Sequence, residues 1–166
     1  RAFTIIELLV AMTLFLILVG IATGGFIRSL RSQRAVVALM EVNDNISLSL
    51  EQMAREIRTG YDFSKVSESE LQFTNAYGIP IFYRLNQETI ERGTEETPPQ
   101  RVYKKITADT VIINDFNIEL FGNNPGDGYP PRITISLSAT SAKPDVKKLN
   151  IFTIIQTTIS ARVLDT

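Results

Sequence analysis

The most unusual chemical group in the sequence is a single carboxylate, Glu7, in an apolar segment near the N-terminal end. The 20 residues from Leu8 to Ile27 carry no charge, and no Lys or Arg lies between Ala2 and Ile27. An acidic side chain near the centre of a membrane-inserted helix costs about 2.5–3.5 kcal/mol, so ionisable groups there usually have a partner of opposite charge. We expect that partner to come from elsewhere, and an amino terminus is the strongest candidate. The alternative is that Glu7 lies at the membrane edge and reaches the lipid headgroups.

Other reactive chemistry is scarce. The 166 residues contain no His and no Cys, which excludes imidazole bases, thiolate nucleophiles, disulfides and the usual zinc ligands. No phosphate-binding Gly-rich loop or nucleophile motif is present. We therefore predict a protein that is not an enzyme and that needs no cofactor.

The charge balance also argues against a nucleic-acid partner. There are 17 basic and 18 acidic residues, whereas a nucleic-acid-binding domain usually has a basic excess. The dibasic pairs Lys104-Lys105 and Lys147-Lys148 are interpreted as solvated charge, and contact with nucleic acid is not expected.

One loop is a weak candidate for calcium. Residues 123–128 include Asp127 among several oxygen-bearing side chains. The loop lacks the dense acidic spacing of a calcium loop, so ordinary turn chemistry is the expected interpretation and no metal is predicted.

The uncharged run must be positioned by a long helix. At about 1.5 Å per residue its 20 residues span roughly 30 Å, the thickness of a bilayer's hydrocarbon core. A cleaved secretory signal is usually shorter, and a buried helix of a soluble domain is rarely apolar on all sides for this length. We expect an uncleaved membrane anchor.

Three glycines interrupt the apolar run. Gly20 and Gly24 have the small-xxx-small spacing of close helix contacts, and Gly24-Gly25 weakens the helix locally, because Gly costs about 1 kcal/mol relative to Ala in a helix interior. The alternative is that a membrane helix tolerates these glycines without a special role.

The helical pattern continues beyond the anchor. Apolar residues recur with spacings of three and four, which is typical of one helix face; they are Leu39, Val42, Ile46, Leu50, Met53 and Ile57. Thr59-Gly60 is interpreted as a left-handed stop. The pattern predicts one helix over 3–58 whose stripe packs on the C-terminal domain. A dimeric coiled coil is the alternative use of the stripe.

The remaining chain has the pattern of strands. Segments rich in Ile, Val, Phe, Tyr and Thr alternate with turn-forming stretches. The predicted strands are 71–74, 79–85, 102–106, 111–121, 132–137 and 149–163, and the predicted turns are 75–78, 93–100, 122–131 and 141–145. We predict an α+β fold in which a long N-terminal helix packs on one face of an antiparallel β-sheet. The predicted chain consists of residues 1–2 before the anchor, an anchor over 3–27, an amphipathic helix over 28–59 and a β-rich domain over 60–166.

The segment from Phe3 to Met12, FTIIELLVAM, resembles the processing and assembly motif of type IV pilins and type II secretion pseudopilins. In that family a leader is cut before a Phe, and Glu stands at the fifth mature position, which is Glu7 here. The segment SLEQMAREIRTG, residues 49–60, resembles the corresponding helix end of J-type minor pseudopilins and W-type minor pilins.

The resemblance implies a processing site and an assembly surface. Prepilin peptidase would cut between Ala2 and Phe3, leaving residues 1–2 as the remnant of a leader, and the Phe3 amine would be methylated. Ala2 replaces the Gly that the family usually has before the cut. In an assembled fibre the Glu7 carboxylate would meet the Phe3 amine of a neighbouring subunit. Gly20, Gly24 and Gly25 would complete the assembly surface, at a place where many members have Pro.

The resemblance also implies partners and a location. The partners are other minor and major pilins or pseudopilins, the inner-membrane platform protein, prepilin peptidase and, before assembly, membrane lipid. The chain would cross the cytoplasmic membrane once with its C-terminal domain outside, and then enter a filament in the periplasm or at the cell surface. The positive-inside rule, applied to Arg28, Arg31 and Arg34, favours the opposite orientation.

Two other functions fit the sequence. One is a single-pass, membrane-tethered binding domain that does not polymerise, and the other is a tethered hydrolase that uses carboxylates. The resemblance favours a minor pilin or pseudopilin that initiates or caps a fibre of a secretion, DNA-uptake or pilus system.

Overall fold

The structure is a computed structural model, and it describes residues 4–97, 100–123, 129–147 and 150–162. The chain divides into two compact units, Arg1–Val37 and Ala38–Thr166. One long helix contributes to both units, and all the strands belong to the second.

The described residues form one long helix, eight strands and one short helix that lies between the last two strands. The elements are α1 (Ile5–Thr59), β1 (Tyr61–Ser67), β2 (Glu70–Thr74), β3 (Pro80–Asn86), β4 (Thr89–Thr97), β5 (Gln100–Lys105), β6 (Val111–Phe121), β7 (Arg132–Ser141), α2 (Pro144–Lys147) and β8 (Thr153–Ser160). All strand pairs are antiparallel. The predicted α+β architecture, a long N-terminal helix packed on antiparallel β-structure, is confirmed.

Helix α1 ends at Thr59, next to the predicted stop, but for a different physical reason. Gly60 follows the last helical residue, yet it does not have the left-handed conformation, which occurs instead at Asp62 with φ 57°. A Cβ at position 60 would lie 2.5 Å from Cδ2 of Phe73 and 3.1 Å from the Thr74 carbonyl oxygen. Glycine is needed there because β2 passes too close to the chain for a side chain.

The second half of α1 packs along a core that both sheets share. Five residues of the predicted stripe are buried, namely Val42, Ile46, Leu50, Met53 and Ile57, and Leu39 is half-buried. The sheets supply a continuous cluster around them, including Phe73, Tyr83, Phe116 and Ile135. The stripe therefore seats the helix on its own domain, as predicted.

The strands form two sheets where one was predicted. The first has the order β1-β2-β3-β4-β5 and the second the order β6-β7-β8. The chain crosses between them at 106–110, where polar groups of α1 satisfy the backbone. Asn45 Oδ1 accepts from the Ala108 N–H at 3.0 Å, and the Ser49 hydroxyl donates to the Ile106 carbonyl at 3.0 Å. A helix that offers hydrogen bonds at this crossing allows the sheet to be interrupted there.

Two strands were missed because their sequences are polar. β1 buries only Phe63, so it shows almost no alternation. β4 includes residues 93–97, which were predicted as part of a turn. Its Gly93 lies under a neighbouring ring, since a Cβ there would be 2.7 Å from Cε1 of Tyr103. Its Glu91 accepts hydrogen bonds of 3.0 and 2.9 Å from Arg84 on β3. Cross-strand contacts, rather than local preference, place this segment in the sheet.

Strand β6 keeps its apolar face buried by means of a bulge. The register with β7 shifts between Ile113 and Asp115, so one additional residue is accommodated. Buried positions consequently change from 111 and 113 to 116 and 118. The bulge explains why the segment alternates only in part, since an extra residue moves the following side chains to the other face.

A polar network joins α1 to the first sheet. The Tyr83 hydroxyl donates to Glu56 Oε2 at 2.9 Å, and Arg92 Nε donates to both carboxylate oxygens at 3.0 Å. Tyr83 is fully buried. Burial and the neighbouring Glu56 charge together raise the pKa of the Tyr83 hydroxyl. The network therefore requires a protonated phenol in the folded state.

This network predicts alkaline instability that depends on Tyr83. The phenol stays protonated when folded but ionises near pH 10 when unfolded, so its contribution is complete below about pH 10 and decreases above it, by about 1.4 kcal/mol per pH unit. Tyr83→Phe should lower the free energy of unfolding by about 1 kcal/mol at pH 8. Between pH 10 and 11 the variant should lose less stability than the wild type, because it has no phenol at this position to ionise. Denaturant unfolding of the full chain in micelles measures both quantities. Tyr77→Phe, at an 88% exposed position, is the control and should behave as the wild type. If the free energy of unfolding falls equally with pH in all three proteins, the prediction is wrong.

Candidate functional site

The described chain begins with a hydrogen-bonded helix cap that contains Glu7. The Thr4 N–H and the Thr4 hydroxyl donate to Glu7 Oε2 at 2.9 and 3.0 Å, and the Glu7 N–H donates to Thr4 Oγ1 at 3.3 Å. These reciprocal bonds form a capping box, with Thr4 as the N-cap. Helix α1 accordingly begins at Ile5.

The cap gives Glu7 a local role that the sequence interpretation missed. The signal was present, because Thr-x-x-Glu before an apolar run is the capping-box pattern. Glu7 thus has hydrogen-bond donors inside its own chain, and no cation among residues 4–97, 100–123, 129–147 and 150–162 is paired with it. Both bonds end on Oε2, and a carboxylate offers about four acceptor positions. The side chain can therefore hold its own helix end and still accept from an ammonium group.

The helix that follows Glu7 exposes an apolar surface on all sides. Every residue from 4 to 34 is exposed in the single chain, including Leu8 at 63% and Phe15 at 63%. This helix is long and apolar enough to cross a membrane. Apolar exposure on this scale is unfavourable in water, so the segment requires lipid or other apolar helices around it.

The three predicted assembly glycines lie within the unbroken helix. Gly20, Gly24 and Gly25 are helical and exposed. Beyond adjacent residues and the helix's own backbone, no described atom lies within 4 Å of a Cβ built at any of them. Nothing within the described chain requires glycine there, so a requirement for small residues would have to come from a neighbouring molecule.

Several predicted residues fall outside the described ranges. Ala2 and Phe3, the predicted cleavage and methylation site, are among them, and so is Asp127 of the weak calcium candidate. Among the described residues, no group of three or more acidic side chains is placed to hold a metal ion.

The basic residues weighed for nucleic acid lie on separate elements. Lys104 and Lys105 belong to β5 of the first sheet, where Lys105 pairs with Asp109 at 3.5 Å. Lys147 ends α2, and Lys148 is not among the described residues.

Comparison with protein families matches residues 1–23 to the prokaryotic N-terminal methylation motif. No curated protein and no solved structure matches the chain. The matched range contains Ala2, Phe3, Glu7 and Gly20. The motif, on an apolar N-terminal helix followed by antiparallel β-structure, supports a type IV pilin-like protein. It implies processing by prepilin peptidase and assembly with other pilins.

Proposed function

We propose that the chain is a minor pilin or pseudopilin, a structural subunit that helps to initiate or cap a type IV pilus-like filament. The observation that carries the proposal is the methylation motif, placed on a helix whose residues 4–34 are all exposed and whose first turn contains one carboxylate. Anchor and assembly surface are then the same helix, first against lipid and later against neighbouring subunits.

The assembly step follows from electrostatics. In a subunit bundle the low dielectric strengthens the attraction between Glu7 and the Phe3 amine of a neighbour well beyond its value in water. Because an unpaired buried charge is strongly unfavourable, the pair also fixes the axial register of adjacent helices. The C-terminal domain lies outside the cytoplasmic membrane in this proposal.

The native N-terminus tests the proposal. We expect mass spectrometry of the protein from its own cells to show a chain that begins at Phe3 with a methylated amine. Cells without prepilin peptidase provide the control, in which the bond between Ala2 and Phe3 should remain intact. An uncut chain in the normal cells would favour a simple membrane tether instead.

The minor role is tested by the amount of protein in the filament. Quantitative mass spectrometry of purified filaments should find this subunit at a small fraction of the main subunit. A filament composed mostly of this chain would make it a major pilin.

A further inference from the structure

Strand β8 has one edge that no strand in the described part of the chain covers. It pairs with β7 in a continuous register, from Arg132 opposite Ser160 to Ala139 opposite Thr153, without a bulge. It lies at the end of the order β6-β7-β8. A row of backbone N–H and C=O groups therefore faces outward along its length, ready to pair with another strand.

The other sheet edges of the described chain have protection that β8 lacks. β1 has two register shifts within its seven residues where it pairs with β2, and β5 carries Arg101, Lys104 and Lys105. Bulges and edge charges of this kind prevent strand addition. The outer side of β6 is met by turns of the first sheet, since the N–H groups of Ile113 and Ile118 donate to the carbonyls of Glu88 and Glu68 at 2.9 and 2.8 Å.

The sequence of β8 favours pairing. Its residues are TIIQTTIS, with no charge and no Pro, and β-branched residues are those that pack best in strands. Apolar atoms of this strand remain uncovered, since Ile154 is 69% exposed. An added strand would cover part of them and satisfy the outward backbone groups.

We propose that β8 is a strand-addition site that pairs with an extended strand of a second, non-identical pilin-like subunit. The proposal rests on the proposed function, which places the chain among other subunits. It adds a β-sheet contact to the helix contacts that the methylation motif implies.

The structure argues against an identical partner. In an antiparallel β8–β8 pair, the two copies are related by a two-fold axis perpendicular to the sheet. That rotation would reverse the direction of the part of α1 that packs on the face, whereas subunits entering one fibre from one membrane run in the same direction. The edges β1 and β5 of a second copy are blocked by their bulges and charges. The strand must then come from a different subunit with an uncharged edge.

Hydrogen exchange of the full chain tests the pairing directly. We compare the protein alone in detergent micelles with the protein in filament complexes isolated from its own cells, using peptides that cover residues 151–162. A hydrogen bond contributes about 0.5–1.5 kcal/mol, so amides of β8 should exchange up to about tenfold more slowly in the complex. Peptides from β1 should change little.

Charged edge variants provide the second measurement. Ile154→Lys places a charge on the β8 edge at an exposed position, and Val66→Lys, at a position of β1 that is 51% exposed, is the matched control. Circular dichroism should show both variants folded. Ile154→Lys should lower incorporation into the complex by about tenfold, corresponding to one or two lost hydrogen bonds, while Val66→Lys assembles as the wild type.

The outcomes separate this inference from the proposed function. If the wild type is processed and assembles but β8 exchange is unchanged and Ile154→Lys assembles normally, strand addition is wrong and the filament subunit stands. If the wild type is uncut and never enters a complex, both proposals are overturned. Dimers of the isolated chain with protected β8 amides would show homotypic pairing and overturn the choice of partner.

Discussion

Glu7→Ala should reduce incorporation of the subunit into filaments by roughly a hundredfold or more, while the protein stays in the membrane. Removing one partner of a buried ion pair costs about 3–5 kcal/mol, because the other charge is left unpaired, and each 1.4 kcal/mol is a factor of ten. The anchor itself loses a charge from its apolar segment, so membrane retention should not fall. Quantitative immunoblots of membrane and filament fractions measure both quantities.

Two further variants separate the charge of Glu7 from its capping role. Glu7→Gln keeps a side chain suited to a capping box but removes the charge, so it should fail to assemble much as Glu7→Ala does. Thr4→Ala removes the hydroxyl that bonds to Glu7 while leaving the carboxylate. It should cost about 1 kcal/mol of helix stability and only a few-fold in assembly. Normal assembly of Glu7→Gln would rule out pairing with an amine and leave the cap as the role of Glu7.

Ile46→Ala should destabilise the C-terminal unit by about 2–5 kcal/mol, the usual cost of emptying a well-packed core position. Ile46 is completely buried beneath both sheets, whereas Leu48, two residues away on the same helix, is 66% exposed. Leu48→Ala should change stability by no more than about 0.5 kcal/mol. Both replacements introduce the best helix former, so their difference reports packing.

Denaturant unfolding of the full chain in micelles measures the difference between Ile46→Ala and Leu48→Ala. Equal losses would mean that the helix face opposite the core is also buried. The comparison therefore tests whether the predicted stripe is the helix face that packs on the core of the C-terminal unit.

The long helix was predictable because its pattern depends on local composition. The uncharged run, the three- and four-residue spacing of the stripe and the absence of Pro before position 80 all favour helix from 5 to 59, apart from the local weakness at Gly24-Gly25. The same applies to β7, whose strict alternation matches its buried positions. In these elements local preference and tertiary contacts agree.

The missed elements are those whose local preference is overruled by contacts distant in sequence. The acidic, Gly-containing β4 lies in the sheet because Arg84 pairs with Glu91 and the Tyr103 ring covers Gly93. The division into two sheets depends on Asn45 and Ser49, whose hydrogen bonds to 106–108 join residues about sixty positions apart. No single-segment pattern contains that information.

The sequence by itself determined the apolar N-terminal segment, the amphipathic stripe and the motif around Glu7. These features depend on composition and on the spacing of nearby residues, so they can be recognised without knowing which distant residues they contact. Only the tertiary structure decided which strands meet, why position 60 must be glycine and which sheet edge remains open. Those features depend on the distance between groups far apart along the chain, and only the folded packing sets that distance.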